Sequence, residues 1–74
     1  MKELDLKKNL YEITEQYPEL IPVLKDLGFA GVANPVMRTT HGRVMTIPSG
    51  CEKLELKLDD VIKTLREKGY EAHP

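Results

Sequence analysis

Leu24-Lys25-Asp26-Leu27-Gly28-Phe29-Ala30-Gly31-Val32-Ala33-Asn34-Pro35 is the stretch on which the fold turns. Its first half ends one helix and its last two residues begin another. Gly28 stands where a closing helical turn needs a left-handed residue, and Phe29 supplies the apolar contact that accompanies such a stop. Asn34 has the side chain of a helix cap, and Pro35 suits a first helical position, where the missing N–H has no partner to lose.

The chain on either side follows the same grammar. Asn9 and Glu12 have the spacing of a capping box, and Leu6, Leu10, Ile13 and Tyr17 recur as one apolar stripe, which predicts a helix over residues 10–16 stopped by Pro18. The next helix lies between Pro18 and Gly28, with Leu20, Leu24 and Leu27 on one face. Pro22 leaves two readings: it kinks this helix one turn in, or Pro18 to Ile21 form a separate tight turn and the helix begins at Pro22. Beyond Pro35 a short helix is expected to run to about Thr40. Thr40 is expected to cap another turn reaching Met45 or Thr46, and Pro48-Ser49 to open one more, carrying Gly50, Cys51 and Glu52. Residues Lys53 to Asp59 alternate polar and apolar, a strand-like pattern with a weaker echo at Glu3-Leu4-Asp5-Leu6. These two runs can pair as a ribbon packed on helices. Val61, Ile62 and Leu65 mark a last helix, with Asp59 and Asp60 near its positive end and Gly69-Tyr70 closing it. The expectation is a mostly all-α domain over residues 1–74, about five short helices, with a two-stranded ribbon from 3–6 and 53–58.

Composition narrows the role. The chain has 74 residues, 41% hydrophobic and 31% charged, the balance of a folded domain. A domain this size buries only about 60% of the surface its unfolded chain exposes, so caps and turns carry much of its stability. Eleven basic against twelve acidic residues, a formal charge of −1, argue against nucleic acid as a main partner. One cysteine excludes an internal disulfide and fits a reducing compartment. MKELDLKKNL holds no apolar run of a signal peptide, and no segment nears the roughly 20 apolar residues of a membrane span, so a cytoplasmic location without membrane contact is expected.

A capped helix ending Tyr17-Pro18-Glu19, a helix closing Leu27-Gly28-Phe29, a turn before Pro35 and a Leu56-Lys57-Leu58-Asp59 run into a final helix together resemble a small domain family of uncharacterised function. That family includes the hybrid-cluster-protein-associated redox disulfide domains. The chain also resembles the N-terminal domain of iron-centre repair proteins, and related domains precede hemerythrin-like and PAS-type sensor modules. The segment Asn34 to Thr46 is most similar to that sensor-associated branch. The resemblance spans nearly the whole chain and implies an all-helical fold. In cysteine-bearing relatives a C-x-x-C pair occupies the positions held here by Gly31 and Asn34. No thiol-pair chemistry carries over.

Few residues could carry chemistry on their own. Cys51 could be activated in a first helical turn near Lys53, but a buried, inert thiol is the ordinary outcome. His41, Cys51 and the penultimate His73, expected to be mobile, match no metal-ligand spacing. No cofactor is expected. Arg38, Thr40, His41 and Arg43 could hold a small anion, against the ordinary reading that the arginines pair with nearby carboxylates. Val36, Met37, Val44, Met45 and Ile47 crowd the same segment. In so short a chain some must stay exposed, which marks a face for a protein partner or self-association. No nucleophile–base set, phosphate loop or dinucleotide fingerprint occurs. The expectation is a non-catalytic interaction or regulatory module. A small-anion-binding domain is the alternative, and a redox or iron–sulfur role through Cys51 stands third.

Overall fold

The computed structural model describes residues 1–73. Its elements are β1 (Lys2–Asp5), α1 (Leu10–Gln16), α2 (Leu20–Leu27), a 3-10 turn (Ala30–Ala33), α3 (Pro35–Thr40), a second 3-10 turn (His41–Arg43), α4 (Ile47–Leu54), α5 (Leu58–Glu67) and β2 (Tyr70–His73). The domain is mostly α-helical, as its caps and apolar stripes predict.

Those caps form as expected. The Asn9 side chain accepts from the Glu12 N–H at 2.8 Å, and the Asn9 N–H donates to Glu12 Oε1 at 3.3 Å, closing the capping box. Asn34 Oδ1 accepts from both the Val36 and Met37 N–H groups and starts α3. Gly28 has φ +120°, the Phe29 N–H returns to the Leu24 carbonyl at 2.9 Å, and Phe29 is buried. Gly69, at φ +95°, follows the Lys68 C-cap of α5, and its N–H returns to the Arg66 carbonyl at 3.0 Å.

Pro22 follows the second expected arrangement in part: Pro18 to Ile21 form a tight turn, the Ile21 N–H donating to the Pro18 carbonyl at 3.1 Å, but the helix already begins at Leu20. Pro22 is the third residue of α2, inside the first turn, whose N–H groups have no intrahelical acceptor in any case. The helix runs from Leu20 through it, fed by a turn at Pro18-Glu19 in which the Leu20 N–H reaches the Tyr17 carbonyl. Thr40 does not cap a following turn. Its hydroxyl donates back to the Val36 carbonyl at 2.9 Å. The cap of the next α-helix is Thr46, in a reciprocal pair with Ser49, and α4 starts at Ile47.

The ribbon is corrected more deeply. Residues 53–58 form no strand. Lys53 and Leu54 close α4, Glu55 takes a left-handed conformation at φ 58°, and Leu58 opens α5. The partner of the N-terminal strand is β2, in parallel register with Lys2 beside Tyr70 and Asp5 beside His73. His73 is therefore a strand residue: its carbonyl accepts from the Leu6 N–H at 2.7 Å and its ring meets the Glu3 carboxylate.

The ribbon is fastened by one polar cluster. Lys2 Nζ lies 2.8 Å from Glu19 Oε2, and the Tyr70 hydroxyl donates to the same oxygen at 2.6 Å. Tyr17 packs edge-on against Tyr70 at 5.4 Å between ring centroids. Lys2 and Tyr70 hold the Glu19 carboxyl down at about 2, Glu19 raises the Lys2 ammonium, and burial followed by Glu19 raises the Tyr70 phenol. Beneath the ribbon one apolar core joins Leu4, Leu10, Ile13, Leu24, Ile47 and Leu65. Among the described residues no buried side-chain polar atom lacks a hydrogen-bond partner. Thr14, the buried polar residue, donates to the Leu10 carbonyl and accepts from Arg38.

Candidate functional site

The turn at Ala30–Ala33 and the α3 segment do not close fully over the core. They leave an open groove of about 210 Å³. Phe29 and Val32 form its buried wall, Met37 and Met45 its flexible sides, and Leu54 its far lip, with Arg38 and His41 as the ionisable groups in its lining. Each part has a local cause. Asn34 caps α3 and so places Met37 and Arg38 on consecutive positions of its first turns. Gly42, buried, packs the second 3-10 turn against α1 at Tyr11. The Leu10 N–H bonds the Met45 carbonyl at 2.8 Å and fixes the strand of chain that carries Met45.

The segments that carry the groove also expose large apolar side chains. Val36 is 70% exposed, Val44 86%, Leu54 44% and Met37 41%. Met37 and Leu54 line the groove directly, while Val36 and Val44 adjoin Met37 and Met45 in the chain. Ile47 does not belong to this face. It is fully buried beneath α4, because the helix starts at Ile47 and turns that side chain into the core.

The four polar residues of the same segment do not converge on a ligand. Arg38 Nη1 donates to Thr14 Oγ1 at 2.9 Å, its Nη2 stands 3.7 Å from Glu15 Oε1, and its guanidinium lies 4.9 Å from the Tyr11 ring centroid. Arg43 covers Tyr11 as well, at 4.2 Å. Thr40 spends its hydroxyl on its own helix, and His41 is exposed at the groove. Tyr11 is thus the residue that organises both arginines, through the attraction of a cation to an aromatic face. Nothing local in the sequence marks Tyr11 for this role, since only the tertiary approach of α1 to this segment brings it there. Phe29, Val32 and Leu54 are likewise unmarked as site residues. In the sequence Leu54 looks like part of the alternating run and Phe29 like a helix stop.

Gly31 and Asn34 have structural duties. The Asn34 N–H donates to the Gly31 carbonyl at 3.1 Å, closing the 3-10 turn, and a Cβ on Gly31 would come 3.3 Å from Met37 Cε. Cys51 is the fifth residue of α4, past its first turn, and is buried, which pushes its thiol pKa up. The thiolate that a nucleophile or metal ligand requires is disfavoured there. Among the described residues no group of three or more metal-ligating side chains gathers, and no helix is long and apolar enough to cross a membrane.

Fold and groove together define a small helical domain with a lipped apolar cleft, its ends tied by a parallel ribbon. The chain belongs to the family described as a domain of unknown function (DUF1858), whose model matches residues 4–62. It is also similar to the crystal structure of the conserved domain protein from Streptococcus pneumoniae TIGR4, at 32% identity and a TM-score of 0.94 over 99% of this chain and 92% of that one. No curated protein matches the sequence.

Proposed function

We propose that the domain is a non-catalytic interaction module of the cytoplasm whose recognition face is the groove between Phe29 and Leu54 with its exposed lips. One observation carries this reading. Apart from Met1, every large apolar side chain left exposed among the described residues lines the groove or adjoins a residue that does. Exposed apolar surface gathered in one place is costly in water and is the usual mark of a contact surface, whereas scattered apolar residues mean little. Methionines on two sides of the groove suit it to adapt to a partner. By resemblance, the partner is a hemerythrin-like or PAS-type sensor or an iron-handling protein, and the domain serves it as a regulatory module.

The anion-binding alternative has less support, since Arg38 and Arg43 are turned to Tyr11 and Thr40 is engaged with its own helix. A redox role through Cys51 is opposed by burial of the thiol. Purification of the untagged protein from its native cell tests the reading. A stoichiometric protein partner that is retained by the native chain and lost with Met37→Glu supports it. A partnerless monomer carrying a small ligand, or a partner held equally by Met37→Glu, overturns it.

A further inference from the structure

The segment that carries most of the groove is basic, and Glu15 reaches its Arg38 from outside that segment. All twelve carboxylate side chains of the chain lie outside residues 27–51, while Arg38, His41 and Arg43 lie within them. The ionisable lining of the groove is Arg38 and His41, with no carboxylate. Arg38 also has donors to spare. Of the five N–H donors of a guanidinium, one makes a hydrogen bond among the described residues, to Thr14, and Glu15 approaches only to 3.7 Å from a half-exposed position. Thr14 and the Tyr11 face hold the guanidinium in place, so a partner carboxylate, competing with the distant Glu15 for the unused N–H donors, would meet a charge already positioned, at little cost in side-chain entropy.

We infer that the groove docks an acidic segment of a partner protein: a large apolar side chain enters between Phe29 and Met45, and a neighbouring Asp or Glu pairs with Arg38 at the rim. This rests on the interaction reading above and names the chemistry of the partner. Size favours a protein segment over a free small carboxylic acid. At about 210 Å³ the groove is smaller than the ~300–1,000 Å³ of ordinary ligand sites, and a small molecule filling it would leave Val36 and Val44 uncovered. Burial of one anchor side chain beneath a rim of weaker contacts is how small interfaces concentrate their affinity.

Selection from a displayed random-peptide library against the full chain, with counter-selection on Met37→Glu, tests this. Met37 is part exposed, and circular dichroism of the variant checks that its fold is intact. The expected result is a groove-dependent consensus of one or two large apolar residues flanked by Asp or Glu. The affinity of the best peptide should fall about ten-fold in Arg38→Gln and weaken with added salt. Methyl NMR shifts should concentrate at Met37 and Met45. Groove-dependent peptides with neutral or basic flanks, or full affinity in Arg38→Gln, overturn the charge assignment and leave the interaction reading standing. Absence of any peptide that distinguishes the native chain from Met37→Glu overturns both. Concentration-dependent dimerisation abolished by Met37→Glu assigns the groove to a second copy and overturns the acidic partner.

Discussion

Gly50→Ala reverses the usual sign of a glycine replacement in a helix. Gly50 lies inside α4, where alanine is intrinsically better by about 0.8–1.0 kcal/mol. Its Cβ, however, would fall 2.5 Å from Phe29 Cε1 and 3.1 Å from Met45 Sδ. The thioether of Met45 can swing aside at little cost, but the Phe29 ring is buried and must move bodily. Overpacking of this kind costs about 1–3 kcal/mol, and the groove beside the ring gives it somewhere to go, which places the cost near the middle of that range. Setting about 2 kcal/mol of strain against about 1 of propensity leaves a net loss of about 1 kcal/mol, or roughly 4–8 °C in melting temperature for a domain of this size. Urea denaturation followed by circular dichroism should show a lowered midpoint with an unchanged slope. In a Phe29→Leu background the same substitution should become neutral or stabilising, a non-additivity that isolates the ring contact. A Gly50→Ala protein as stable as the native chain would refute the close packing of α4 on Phe29.

Three further outcomes are expected. Gly28→Ala and Gly69→Ala both force alanine to positive φ, at about 1 kcal/mol each or more, but only the Gly28 Cβ meets a side chain, Leu56 Cδ1 at 3.1 Å; thermal melts should show the larger loss at Gly28, and equal losses would contradict that contact. The Glu19 carboxyl is lowered to about 2, so its stabilising contribution is present above the ordinary value of 4.5 and is lost as pH falls from there through 2; Glu19→Gln should flatten the acid limb of the stability profile in that window, and an unchanged limb would remove the Lys2–Glu19–Tyr70 cluster from the account. Cys51, buried with its thiol pKa raised, should react with a thiol reagent slowly at pH 8 and rapidly once the chain is denatured; prompt labelling of the folded protein would reopen a chemical role for it.

What the residues declare in advance is mostly what is local. The Asn9 and Asn34 caps, the Gly28-Phe29 and Gly69-Tyr70 stops and the start of α3 each depend on side chains within a few positions of one another, and each is where the sequence puts it. Lys53 to Asp59 misleads because two helix ends with leucines at every second position imitate a strand. The reversal at Glu55 interrupts that periodicity without any glycine or proline to announce it. Tyr70 to His73 gives the opposite lesson: a four-residue strand of Tyr, Glu, Ala and His has little intrinsic preference, and its pairing with Lys2–Asp5 spans nearly the whole chain. The candidate site divides along the same line. Its exposed valines and methionines were visible as an apolar surplus, while Ile47 was drawn into the core and Tyr11 was brought to the arginines only by folding.

The parallel ribbon has a mechanical corollary. Strands that run side by side in one direction slide past each other when tension is applied through the two ends of the described chain, so the Lys2–Gly69 and Leu6–His73 bonds bear the load together instead of unzipping in turn. A domain of modest thermodynamic stability can in this way resist traction well, and would hold its shape when strung between larger bodies that pull on it.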